Sequence, residues 1–254
     1  MESFVKSEVS NSVSTITFFH SQSNSLPGAI LRKLADEITH AGNDGKVKVI
    51  VLKSEGEKAF CAGASFDELM SIKNFEEGKH FFSGFAMVIN AIRKAPKFVI
   101  ARVHGKAVGG GVGLASAADY TLAVKDASVR LSELALGIGP FVVGPAVERK
   151  IGTGAFTALT INPSEWKSAD WAREKGLYAD IFATVDELDK AVNELADKLS
   201  KSSSEAMALL KKVMWEGTDN WDKLLIERAE MSGKLVLSDF TKKYIEKFKM
   251  NAKN

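Results

Sequence analysis

The sequence predicts an α/β core followed by a helical C-terminal region. Two observations carry this. Up to about residue 190, short β-branched runs alternate with stretches whose apolar residues recur at helical spacing. After residue 186 only helical patterns remain. The chain therefore divides into a core, residues 1–190, and a helical region, residues 191–254.

The elements follow in order. Residues 14–19 (STITFF) are β-rich and flanked by polar residues, so they form a strand. Pro27 suits the first turn of a helix, and Ile30, Leu31, Leu34 and Ile38 then keep helical spacing. Residues 47–52 (VKVIVL) predict a buried strand. EGEKAFCAGASFDEL reads as a turn, small residues and an amphipathic start. Residues 75–94 carry Phe81, Phe82, Phe85, Val88, Ile89 and Ile92 on one helix face. Pro96 ends that helix, and residues 98–103 are a strand. HGKAVGGGVGLASAADY predicts a strand–turn–helix with close backbone packing. Strands return at residues 120–124 and 128–131. Helices are predicted over residues 186–199, 204–215 and 221–237, with Ser203 or Ser204 capping the second. A basic amphipathic helix closes the pattern at residues 239–250.

Composition excludes several classes of function. The chain has 254 residues, enough for a sizeable core. A formal charge of +2 offers no clustered basic excess for nucleic acid. Cys61 is the only cysteine, which excludes a disulfide scaffold and fits a reducing compartment, the cytoplasm. The N-terminus lacks the apolar core of a signal peptide, and no apolar run is long enough to span a bilayer.

Gly109, Gly110, Gly111 and Gly113 invite a nucleotide reading, and two tests fail. The dinucleotide fingerprint breaks because Leu114 stands where its last glycine is needed. The P-loop breaks because Ala107 follows Gly105-Lys106. Two readings stay open. The glycines serve close helix–strand packing, or their bare amides face a developing negative charge at a helix N-terminus. The second reading needs another donor and a catalytic group. Cys61 to Ala64 is small enough to expose its backbone. Glu133 lies among Leu131, Leu134 and Leu136, where a partly desolvated carboxyl would titrate nearer neutrality. Taken alone, Glu133 reads more readily as a surface or capping acid.

The ordered set AFCAGASFDEL, PKFVIARVHGKAVGGGVGLASAADYTLA and SELALGIGP resembles the crotonase (enoyl-CoA hydratase/isomerase) superfamily. The resemblance covers nearly the whole chain. It implies a repeated ββα spiral whose helical C-terminal region packs in a homotrimer or homohexamer. It implies an acyl-CoA thioester substrate, with coenzyme A as part of the substrate and no separate cofactor. The thioester oxygen would sit between the backbone amides of Ala64 and Gly110. Ala62, Ser65, Phe66, Gly109, Gly113 and Phe141 would line the CoA and acyl path, which extends to Glu68.

The departures from the family sharpen the expectation. Two-glutamate hydratases carry a first acid where this chain has Gly113 and a second where it has Glu133. The family's common aspartate is Ser65, and LSE replaces PE. One acid suits Δ3–Δ2 enoyl-CoA isomerisation. The alternatives are an enoyl-CoA hydratase and, beyond that, a non-catalytic acyl-CoA-binding scaffold. GIGPFVVGPAVERKIG resembles methylglutaconyl-CoA hydratase-type members. Gly113 reads either as helix packing or as room for the acyl chain. His20, His40, His80 and Cys61 lack metal-ligand spacing, so no metal is expected. His104 and Cys61 read as structural, and Trp166 and Trp171 as packing groups. Lys242, Lys243, Lys247 and Lys249 read as a solvated face that in this family can approach the CoA phosphates.

Overall fold

The structure, a computed structural model, describes residues 2–251, with side chains as far as Lys247. It begins with a hairpin of β1 (Phe4–Ser10) and β2 (Val13–Phe19). Asn11 and Ser12 between them both have positive φ, which matches the twist of the flanking strands. The sequence pattern had not predicted β1. It is an edge strand, and most of its side chains meet water. β3 (Ser25–Leu26) leads into α1 (Gly28–Asn43), with Pro27 just outside the first turn.

Three successive units then share one design. Each places its first long strand in a six-stranded sheet, a later strand in a second sheet, and a helix after them. In the first unit these are β4 (Val49–Ser54) and β5 (Ala59–Cys61). The short β6 (Gly63–Ala64) pairs with β3, and α2 (Phe66–Ser71) and α3 (Phe75–Lys94) follow. The second unit has β7 (Phe98–Val103), β8 (Lys106–Val108) and α4 (Gly110–Ala117). The third has β9 (Tyr120–Val124), β10 (Ser128–Arg130), a 3₁₀ turn at Glu133–Leu136 and α5 (Gly144–Ile161). The remaining elements are β11 (Lys167–Ser168), α6 (Ala169–Glu174), β12 (Asp180–Phe182), α7 (Val185–Ser200), α8 (Ser204–Met214), α9 (Trp221–Leu235) and α10 (Asp239–Asn251).

The large sheet runs β1-β2-β4-β7-β9-β12, parallel except for the hairpin. The second runs β11-β10-β8-β5, parallel except at β11. This is the ββα spiral that the resemblance implies. Parallel strands covered on both faces become near-continuous apolar runs, and Val49 to Leu52 and Val99 to Ala101 are buried accordingly.

Contacts on α7, α8 and α9 join the C-terminal helices to this core. Residue 190 falls inside α7, which buries Leu188, Val192 and Ala196 and is clasped by Arg102. The Arg102 guanidinium donates to both carboxylate oxygens of Asp189, at 2.7 and 3.0 Å. Lys211 of α8 is buried, with Nζ 2.8 Å from Asp119 and donating to the carbonyls of Ile92 and Lys97. α9 crosses α3 where glycine faces glycine. A Cβ on Gly78 would stand 2.9 Å from the Gly233 backbone, so neither position accepts a side chain.

Candidate active site

A cavity of about 660 Å³ opens between the second sheet and the helices. Glu133, Gly109, Gly110 and Ala64 meet there. Phe66, Phe82 and Phe85 form an aromatic wall, and Phe141 stands on the stretch before α5. Such a site is mostly apolar with a few convergent polar groups.

The glycine turn meets the first reading left open by the sequence, close packing. A Cβ on Gly110 would stand 2.1 Å from the Phe85 ring, and one on Gly111 would stand 2.3 Å from the Cys61 carbonyl. Close packing therefore requires both. Gly109 has φ +52°, and its amide donates to the Arg130 carbonyl at 2.9 Å. A Cβ there would stand 2.8 Å from Glu133 Oε1. Gly109 thus makes room for the carboxyl.

The amide geometry follows from the elements. Gly110 opens α4, where the first N–H groups have no partner within the helix. β6 lies alongside: a Cβ on Gly63 would stand 3.6 Å from the Gly110 nitrogen. Ser65 donates its amide to Leu26 at 2.9 Å. Successive peptides of a strand face opposite edges, so the Ala64 amide faces away from β3. Ala64 and Gly110 both line the cavity.

Glu133 begins the 3₁₀ turn, which Gly137 closes with φ 77°. Its Oε2 is buried and has no hydrogen-bond partner among the described residues. Burial pushes the carboxyl up to about 7, while the amides of Glu133 and Ser132 pull the other way. The apolar surroundings differ from those expected. Leu131 is buried and Leu136 lines the cavity, but Leu134 turns to solvent at 47% exposure. Gly109 and the cavity walls take its place in shielding the acid.

Several expectations are corrected. Gly113 does not line the cavity. A Cβ there would stand 2.4 Å from Val143 Cγ1, and it is Val143 that reaches the cavity. The space vacated at Gly113 is filled by packing and leaves no room for acyl chain. Ser65 is buried as the cap of α2, its Oγ accepting the Glu68 amide at 3.3 Å. The Glu68 carboxylate accepts the Gly28 amide at the start of α1. Neither residue lines the cavity. Trp166, expected to pack, lines it, whereas Trp171 packs half-buried against the core.

Ala62, Phe66 and Phe141 line the cavity as expected. The sequence reasoning missed Lys58, Lys106, Arg130, Ser232 and Tyr244. Lys106 lies inside the glycine-rich motif and Arg130 two residues before SELALGIGP, and their charge was the available signal. Ser232 and Tyr244 come from α9 and α10, and no local pattern points to them.

His104 is neutral at pH 7. Burial, helped by Arg102, pushes it down to about 4, against the Gly56 backbone and Asp189. Burial pushes the Cys61 thiol up to about 12, against its hydrogen bond with the Gly63 backbone. That suits an inert filler. Among the described residues, no three His, Cys, Asp or Glu side chains could hold a metal ion. No helix among them is long and apolar enough to cross a membrane. Lys242, Lys243 and Lys247 are exposed, and the Lys249 side chain lies outside the described residues.

Comparison with known proteins agrees with this fold. A crystal structure of enoyl-CoA hydratase from Bacillus halodurans superposes with a TM-score of 0.87, covering 95% of this chain and 98% of that one. At 22% identity, that likeness shows the fold. The family model described as enoyl-CoA hydratase/isomerase matches residues 8–252, and the chain belongs to that family of crotonase-type enzymes. A Bacillus subtilis (strain 168) protein named "Probable enoyl-CoA hydratase" is 29% identical, over 93% of this chain and 92% of its own length. A peroxisomal Delta(3,5)-Delta(2,4)-dienoyl-CoA isomerase of Arabidopsis thaliana is 27% identical, over 84% and 83%.

Proposed function

We propose that the protein is a Δ3–Δ2 enoyl-CoA isomerase. One observation carries the reading: among the described residues, Glu133 is the only carboxylate lining the cavity. The family's first acid position is Gly113, backed by Val143. One acid held near 7 can act as base and then as acid at neutral pH.

The steps balance around that group. The Glu133 carboxylate takes a proton from C2 of a 3-enoyl-CoA. The C–H electrons move into a dienolate whose negative charge rests on the thioester oxygen. The Ala64 and Gly110 amides donate to that oxygen, and losing one such donor typically costs about 3 kcal/mol. The Glu133 acid then returns its proton at C4, the double bond moves to C2–C3, and the carboxylate is regenerated.

A second reading is hydration of a 2-enoyl-CoA, favoured by the hydratase name of the Bacillus subtilis relative. Water would have to be activated while C2 is protonated, with Glu133 alone to do both. Turnover of 3-hexenoyl-CoA and of crotonyl-CoA separates the readings. Faster isomerisation of the first supports the proposal. Faster hydration of the second overturns it, and binding without turnover of either supports a scaffold.

The reading extends to assembly as a homotrimer or homohexamer through the helical region. Leu209, Val213 and Met214 on α8, with Leu235 and Phe240 beyond, are exposed apolar side chains that support it. Light scattering of the full chain checks this, and a monomer at micromolar concentration would contradict it.

A further inference from the structure

Arg130 ends β10, three residues before Glu133, and its carbonyl accepts the Gly109 amide. Its backbone is thus part of the turn that forms the site. The guanidinium carbon lies 4.3 Å from the centre of the Trp166 ring, and Lys106 Nζ lies 5.2 Å from the same centre. All three residues line the cavity.

Other cations drawn into the fold have acceptors. Arg102 has Asp189, Lys150 has the carbonyls of Ala118 and Asp119, and Lys211 has the Asp119 carboxylate. Arg130 differs. Its Nε is buried without a partner, and neither Arg130 nor Lys106 joins an ion pair or hydrogen-bonds through its side chain among the described residues. A buried donor is normally satisfied, and here a ligand would have to supply the acceptor.

We infer that Arg130, held over the Trp166 ring and reinforced by Lys106, binds an anionic group of the substrate. Contact with the ring holds the guanidinium in place, and its N–H edge is left without an acceptor among the described residues. That edge matches two oxygens of a carboxylate or a phosphate. The inference rests on reading the cavity as an acyl-CoA site. The anion is then either a carboxylate at the far end of the acyl chain or a phosphate of coenzyme A.

Calorimetric titration of the full chain tests this without requiring turnover. The probes are butyryl-CoA, glutaryl-CoA, which adds a terminal carboxylate, and butyryl-pantetheine, which lacks phosphates. Either source predicts a loss of at least tenfold in Arg130→Gln. With an acyl carboxylate, only glutaryl-CoA weakens. With a CoA phosphate, both CoA esters weaken alike and butyryl-pantetheine does not. Lys106→Gln shows the same pattern more weakly, and it supplies the test if Arg130→Gln fails to fold. Unchanged affinities overturn the assignment. An equal loss for all three probes also overturns it, because that marks a packing role. Binding that depends on Arg130 without isomerisation would refute the proposed reaction and leave the anion site standing. Isomerisation with unchanged binding in the variant would do the reverse. Wild-type protein that binds none of the probes overturns both.

Discussion

Asp119 and Glu133 are both withdrawn from solvent, and the fold treats them in opposite ways. The Asp119 side chain is 5% exposed and faces Lys211 Nζ at 2.8 Å. Val99 N–H and Trp215 Nε1–H donate to it as well, at 2.8 and 2.9 Å. Its charge is compensated by three groups, one on β7 and two on α8 and its C-terminal cap, so it ties α8 to the large sheet. Among the described residues Glu133 has no cation, and its Oε2 has no partner. The first acid is a fastener. The second is kept where it can exchange a proton near pH 7, at a cost in stability.

Removing each acid's function should therefore give different losses. Glu133→Gln is expected to lower kcat for 3-enoyl-CoA isomerisation by roughly 10³-fold, within the usual range for a general acid–base. The circular dichroism spectrum should stay native. A loss below tenfold would show that another group moves the proton.

Lys211→Ala should leave the Asp119 charge buried and unpaired. That typically costs about 3–5 kcal/mol, which urea unfolding would register. A cost under about 1 kcal/mol would place the pair among solvated ones and erase the contrast.

The stability of Glu133→Gln sharpens the comparison further. The folded-state carboxyl titrates at about 7, against an ordinary value of 4.5. The unfolded chain therefore loses this proton first as pH rises. The contribution of the wild-type acid to stability is fully present below pH 4.5 and lost by pH 7. Glutamine cannot ionise, so the variant should match the wild type at pH 4.5. At pH 8 it should be more stable by about 3 kcal/mol. Equal stability at both pH values would mean that Glu133 is solvated.

The smallest expected effect concerns Cys61. With its thiol up at about 12, alkylation by iodoacetamide at pH 8 should be negligible in the native state and fast after unfolding.

What could be read beforehand follows the same division between local and distant causes. α3 and β7 matched their expected ranges because apolar periodicity and Pro96 mark both ends of the segment. β1 escaped because an edge strand carries little apolar signal. α5 escaped because Gly152, with φ 77°, breaks its helical repeat. Gly109, Gly110 and Glu133 were legible because each sits in a short motif whose spacing is chemical. Trp166 and Tyr244 reach the cavity only through tertiary packing, and nothing in their own segments marks them. The meaning of Gly113 also needed the structure, since only Val143 shows that the gap is filled.

The pH dependence of kcat/KM for 3-hexenoyl-CoA isomerisation tests the central claim most directly, because it reports the ionisation of the free enzyme. A single unpaired carboxylate predicts a rise to a plateau with one midpoint near 7, absent in Glu133→Gln. A profile flat from pH 5 to 9, or the same midpoint surviving in the variant, would contradict it.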